Sequence, residues 1–137
     1  MDDLVSAMSS AASGLRAQTV RMRLSAENLA NADSTATTPG GDPYRRRTPV
    51  FAAVLDRETG AMGVELRRAK EDASAFPLRF DPTHPAADAA GWVKEPNVSS
   101  LIEVADMREA QRAYEANLNV IENARSMASR TLDLLRR

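Results

Sequence analysis

Met8, Leu15, Met22 and Leu29 recur at intervals of seven near the start of the chain, with Leu4, Ala11, Gln18 and Ser25 interleaved between them. This alternation of fours and threes predicts a helix over about residues 4–31, carrying a heptad seam on one face. One edge of the seam is large and apolar, whereas the other, built of Ala, Gln and Ser, buries little area. Gly14 costs the helix about a further 1 kcal/mol relative to alanine. Alone, it would make a poor two-stranded coiled coil. From Val98 to Arg137 there is neither glycine nor proline. Within that run Val104, Met107, Gln111, Tyr114, Leu118, Ile121, Arg125, Ala128, Leu132 and Leu135 again step by threes and fours, which predicts a second helix over about 99–135. Ser100 followed by Glu103 matches a capping box, and Pro96-Asn97 lies just ahead of it.

The middle of the chain is of a different kind, because five of the six glycines and all seven prolines lie between Pro39 and Pro96. No long helix survives there. Thr48–Asp56 and Val64–Arg68 read as short strands joined through Glu58-Thr59-Gly60, a hairpin. Pro77–Phe80 and Trp92–Lys94 offer a second, shorter pair, and Ser34–Asp42 reads as turn and loop. The expected fold is therefore mainly α with a small β-rich insert. Segments 1–33 and 99–137 form long terminal helices associating as a coiled-coil-like pair, and 34–98 supplies the loop and insert. At about 1.5 Å per residue the helices would measure about 42 and 55 Å, against about 37 Å for the diameter of a compact chain of this length. The second helix overshoots its own globule, and its seam needs partners outside the chain.

Composition narrows the classes of function. Only six residues are aromatic, and much of the 43% apolar fraction is alanine, which favours helix seams over a deep core. The 19 acids and 18 bases nearly cancel, and they do so within each of the three segments as well. No stretch carries the basic excess that attracts phosphate backbones or anionic lipid, so nucleic acid and direct membrane insertion are both demoted. The absence of cysteine removes disulfides, thiolate nucleophiles and sulfur-ligated metals. The acidic start Met1-Asp2-Asp3 reads as neither a signal peptide nor an anchor, and composition alone places the protein in the cytoplasm.

Few residues could carry chemistry. His84, the single histidine, sits in Asp81-Pro82-Thr83-His84-Pro85. A carboxylate lies nearby, but with no second histidine and no cysteine a turn role is the better reading. Arg45-Arg46-Arg47 after Tyr44 is the one basic cluster. Amid acids and on strand-like chain, it suits contact with an acidic patch on a neighbouring protein better than phosphate. Gly40-Gly41-Asp42-Pro43 is loop without a phosphate cradle. Trp92, Tyr44, Phe76 and Phe80 read as the small core of the insert. Asn28 and Asn31 sit where the first helix ends, and either could cap its carbonyls. No catalytic residue, metal ligand or cofactor is expected.

Three stretches near the N-terminus carry a family likeness: Ala12-Ser13-Gly14-Leu15-Arg16-Ala17-Gln18, Arg21-Met22-Arg23, and Asn28-Leu29-Ala30-Asn31-Ala32-Asp33-Ser34. Together they resemble the N-terminal signature of the flagellar rod and hook axial proteins. Three further stretches narrow the likeness to basal-body rod proteins of the FlgC type: Gly40 through Arg47, Asp81 through Asp88, and Gly91 through Val98. The segment Asp106 through Ile121 is similar to that family's closing helix. Trp92 stands where the family pattern has tyrosine.

The resemblance implies a non-enzymatic structural subunit of a helical axial assembly, the proximal rod, transmitting torque from the membrane ring to the hook. Its partners would be copies of itself, other flagellar rod proteins, the membrane ring and ring–rod junction proteins, and the flagellar type III export apparatus. Export would proceed without a cleaved signal, which moves the expected location from the cytoplasm to the periplasmic rod. Packing in the assembly is expected from Leu15, Met22, Leu29, Tyr114, Leu118, Ile121, Leu132 and Leu135. Polar contacts are expected from Asn28, Asn31, Arg45, Arg46, Arg47 and Asn117. A soluble helical adaptor is the alternative, and a small cell-wall hydrolase using Asp81 or His84 a more distant one.

Overall fold

A computed structural model describes residues 2–136. Helix α1 spans Asp2–Ala30 and helix α2 spans Ser100–Leu135, with β1 (Arg47–Leu55), β2 (Met62–Glu71), β3 (Leu78–Phe80) and β4 (Trp92–Lys94) between them. The strands pair antiparallel as two separate two-stranded sheets, β1 with β2 and β3 with β4. Two long terminal helices thus flank a small β insert, as the periodicity indicates. The β1–β2 turn closes where Asp56 Oδ1 accepts the Glu58 N–H at 2.9 Å and the Asp56 N–H reaches the Ala61 carbonyl at 2.8 Å. Gly60 supplies the positive φ of +67° that this turn requires. The register shifts between Val50 and Phe51, leaving Arg67 as the extra residue of a bulge.

The helices run antiparallel. Asn28 lies beside Glu103, Arg21 reaches Glu109 at 3.9 Å, and Gly14 meets Asn117. Small residues hold the crossing. A Cβ built on Gly14 would fall 2.7 Å from Asn117 Nδ2, closer than real contacts allow, so the absence of a side chain there sets the approach. The buried edge of α2 passes through Glu103, Ala110 and Ala124, with half-buried Asn117 between them. This differs by one residue from the expected edge of Val104, Gln111, Leu118 and Arg125. The other predicted edge, Met107, Tyr114, Ile121 and Ala128, is half-buried. Helix α1 behaves alike: Ala11, Ala17 and Ser25 are buried, while Leu15, Met22 and Leu29 are only half-buried. Leu24, 2% exposed, is buried on α1 as well, but elsewhere along the crossing the close approach admits small side chains between the axes and leaves the large ones at the flanks.

The crossing makes a testable case. Gly14→Ala gains about 1 kcal/mol of helix propensity but must push the Asn117 amide aside, so little net change is expected. In an Asn117→Ala background the obstruction is gone, and the same substitution should then stabilise by about 1 kcal/mol. Urea unfolding of the four proteins measures this, and equal effects in both backgrounds would show that the two residues do not meet.

Beside its contact with α2, α1 also rests on the β1–β2 hairpin. Ser10 Oγ donates to the Met62 carbonyl at 2.7 Å, and Ser13 Oγ accepts the Val64 N–H at 3.1 Å while donating to the Ser10 carbonyl at 2.7 Å. Gly63 fits below, where a Cβ would stand 3.0 Å from Ser13 Oγ.

Two expectations are corrected. The capping box does not form: Ser99 is the N-cap residue of α2 and makes no side-chain cap bond, while Glu103 turns inward and is 0% exposed. Spacing alone could not separate a capping glutamate from one recruited by an arginine across the fold. The aromatic residues do not make the core of the insert either. Phe80 and Trp92 meet edge-to-face at 5.2 Å but remain exposed, while Ala61, Ala86 and Val93 are buried. A pair of three-residue strands has no second layer to cover its outer face.

Beyond Ala128 every described residue of α2 is exposed. The accessible surface is 9254 Å², against about 7,000 Å² for a compact monomer of this mass.

Candidate assembly interface

Where α1 ends, β1 begins and α2 starts, one polar cluster ties the insert to both helices. Asn28, 1% exposed, donates through Nδ2 to the Arg47 carbonyl at 2.8 Å and to Glu103 Oε2 at 3.2 Å. Its Oδ1 accepts the Tyr44 hydroxyl at 2.8 Å and the Arg47 N–H at 2.9 Å, so this amide uses both ends fully. Arg46 Nε donates to Glu103 Oε1, its NH2 group reaches Asp106 at 3.2 Å, and NH1 lies 3.7 Å from Asp72. Burial alone would lower the Arg46 pKa, but the hydrogen bond and charge of Glu103, with Asp106 and Asp72 behind it, hold it above its ordinary value. Burial likewise raises the Tyr44 hydroxyl, against the opposing charge of Arg47.

The backbone joins the cluster too. The Arg46 N–H donates to Asn97 Oδ1 at 2.7 Å, and Asn97 Nδ2 donates to the Asp72 and Ser74 carbonyls at 3.0 and 3.2 Å. Among the described residues no buried side-chain nitrogen or oxygen lacks a partner. A buried charge pair persists only when its remaining hydrogen-bonding positions are filled in this way.

The arginine triplet is therefore occupied within the chain and not held out to an acidic neighbour. Arg45 stacks on Phe76 at 4.1 Å and donates to the Asp72 carbonyl at 2.7 Å; Arg47 lies 3.4 Å from Glu27. Asn28 has no surface to offer another subunit. Asn31 caps the end of α1 by donating to the Glu27 carbonyl at 2.9 Å, and it accepts the Ser34 hydroxyl at 3.0 Å. Asn117 covers Gly14. The predicted polar residues thus gather into the intramolecular frame, joined by Glu103, Tyr44, Asp72 and Asn97, which sequence reasoning did not select for this role. Only the sequential closeness of Asn97 and Glu103 to the start of α2 pointed towards them.

His84 is a turn residue in the structure as well. Its Nδ1 accepts the Ala86 N–H at 3.0 Å, and Nε2 lies 3.4 Å from Thr35 Oγ1. The neighbouring Asp81 is held below its ordinary pKa, first by the Thr83 hydroxyl and then by Arg79. That carboxylate is committed to its own turn.

Apolar surface left for neighbours is shared between the insert, with Leu55, Met62, Val64, Leu78, Phe80 and Trp92 exposed, and α2. Leu118 is 38% exposed, and Leu101, Ile102, Val120, Met127, Leu132, Leu134 and Leu135 are exposed as well. Scattered apolar residues are ordinary on a monomer, but on α2 they gather at its first turn and again from Leu118 to Leu135, a concentration that suits a contact face. Leu132 and Leu135, predicted to pack, are 51% and 78% exposed, and Leu118 lies beside the buried edge and not on it.

The family model described as "Flagellar basal body rod FlgEFG protein C-terminal" matches residues 89–134, which include all of β4 and nearly all of α2. Curated relatives extend the similarity over nearly the whole chain. A flagellar basal-body rod protein FlgC of Agrobacterium fabrum is 49% identical over 136 residues, covering 99% of this chain and 98% of the relative. One from Yersinia enterocolitica is 42% identical, covering 90% and 92%, and one from Aquifex aeolicus is 38% identical, covering 97% and 98%. An interior frame of paired polar residues, an outward apolar helix and these end-to-end similarities agree: the chain belongs to the FlgC family of flagellar basal-body rod proteins, structural subunits of the rod.

Proposed function

We propose that this chain is a subunit of the proximal rod, packed with copies of itself and with other rod proteins in a helical, non-closing arrangement that transmits torque from the membrane ring to the hook. The observation that carries the reading is the outward face of α2, whose leucines have no cover in the single chain. Surface beyond that of a compact monomer amounts to about 2,000 Å², and a standard contact uses about 800 Å² on each partner. A subunit with at least two neighbours is the arrangement that absorbs it. Segments 1–33 and 99–137 would act as a coiled-coil-like assembly unit, with 34–98 making lateral contacts to neighbours, including the ring and junction proteins. Delivery by the type III export apparatus, with no cleaved signal, would bring the chain to the periplasmic rod. The reading is non-enzymatic, and it assigns mechanical roles to Leu15, Met22, Leu29, Tyr114 and Ile121.

Isolation of detergent-resistant basal bodies from cells carrying a tagged copy tests the proposal. The chain is expected in the rod fraction and absent from shed filaments. Recovery in the soluble fraction, bound to one other protein in fixed proportion, would favour the helical adaptor instead.

A further inference from the structure

Resting on the rod reading, the structure points to a specific contact between copies: we propose that the end of α2 from one chain docks into the cleft between α1 and the β1–β2 hairpin of the next. The helix register fixes the projecting part. Gly14 opposite Asn117 and Asn28 opposite Glu103 place the start of α1 level with about Ser129, so the turns that follow extend past α1. They carry Leu134 and Leu135, 74% and 78% exposed, with Leu132 on the preceding turn. Among the described residues these turns are exposed throughout, and a helix end without packing frays.

The acceptor is a cleft of about 440 Å³ floored by Ala17, Val20, Val54 and Leu66, with Val64 exposed at its edge. This is the size of pocket that encloses several apolar side chains. Its rim holds Asp56, Glu65 and Arg16, two acids and a base, and the projecting turns hold Arg130, Arg136 and Asp133, two bases and an acid. The charges are inverse. Among the described residues Arg16, Glu65, Arg130 and Arg136 form no ion pair. Projection and cleft are different surfaces of one chain, so their union leaves a cleft open on one copy and a projection free on the other. Such a contact is heterologous and propagates.

Because the natural sequence lacks cysteine, paired cysteines report the contact directly. In basal bodies assembled from the full-length Leu134→Cys, Val64→Cys chain, mild oxidation should give disulfide-linked dimers and longer ladders. Their yield should exceed that of the Leu134→Cys, Thr83→Cys chain by about tenfold, since only the former pair is held at high effective concentration. Charge exchange provides a second readout: Arg136→Glu alone should reduce incorporation, and Glu65→Arg added to it should restore it. Rods of normal abundance that give no 134–64 cross-link overturn the contact, as does a charge pair no better than its single variants. Failure of the rod reading itself looks different, because the wild-type chain would then be missing from the basal bodies.

Discussion

Glu103→Ala is expected to lower the unfolding free energy of the isolated chain by about 3–5 kcal/mol, because it strands the Arg46 guanidinium in the cluster without its closest acceptor. Asp106 at 3.2 Å and Asp72 at 3.7 Å remain, but both stand nearer solvent and compensate only in part. Removing both charges should do less harm than removing one. In Glu103→Leu, Arg46→Met, the Asn28 amide keeps the Arg47 carbonyl at 2.8 Å, the two aspartates turn to water, and apolar volume replaces the pair. More than half of the lost stability should return. Urea unfolding followed by circular dichroism, applied to the wild type, Glu103→Ala, the double variant and its singles Glu103→Leu and Arg46→Met, gives the comparison. A double variant as unstable as the sum of its singles would mean that each residue acts through other partners and that the pair is not the unit.

Leu118→Glu has the largest expected effect on function and a smaller one on the single chain. At 38% exposure a carboxylate there can reach water in the monomer, and losing the covered part of the leucine should cost about 1–2 kcal/mol, small beside the effect on assembly. Once a neighbouring subunit covers the site, the charge must be desolvated at a cost of several kcal/mol, repeated in every copy. The variant should be exported and folded yet absent from basal bodies, with motility lost. His84→Ala removes only a turn side chain, and rods should form. Intact rods with Leu118→Glu and none with His84→Ala would sink the structural reading. Delivery of each variant to the assembling basal body is measured first, since only a delivered chain reports on packing.

Leu118 also shows where the sequence was legible and where it was not. Helix limits, both strand pairs and the turn at Gly60 follow from periodicity and from the placement of glycine and proline, which are local properties. The face that α2 presents to α1 does not. Reading for apolar area places Leu118 inward, whereas the close passage at Gly14 selects Asn117 and the alanines at 110 and 124. That selection depends on the distance between two helices, which no single segment encodes. The outward leucines look like core residues until the contents of the core are known. Likewise, nothing in three consecutive arginines distinguishes Arg46 from its neighbours. Only the fold brings Glu103 to it, 57 residues further on. The asparagines, expected to make contacts in the assembly, make hydrogen bonds or close contacts within the chain.

The cluster around Arg46 has a mechanical consequence. The chain leaves the helices through Tyr44–Arg46 and returns through Asn97, and these two crossings are hydrogen-bonded to each other although 51 residues separate them. A sideways load on the insert therefore meets this doubled neck as well as the seat of the hairpin on α1 at Ser10 and Ser13. Arg46–Asn97, Arg46–Glu103 and Tyr44–Asn28 would share the part that reaches the neck. Bonds loaded in parallel share the force, and the neck yields only when all give way together. Rotation imposed on the insert would pass to the helix pair with little slack, while the unsupported turns beyond Ala128 would remain the compliant end of the lever.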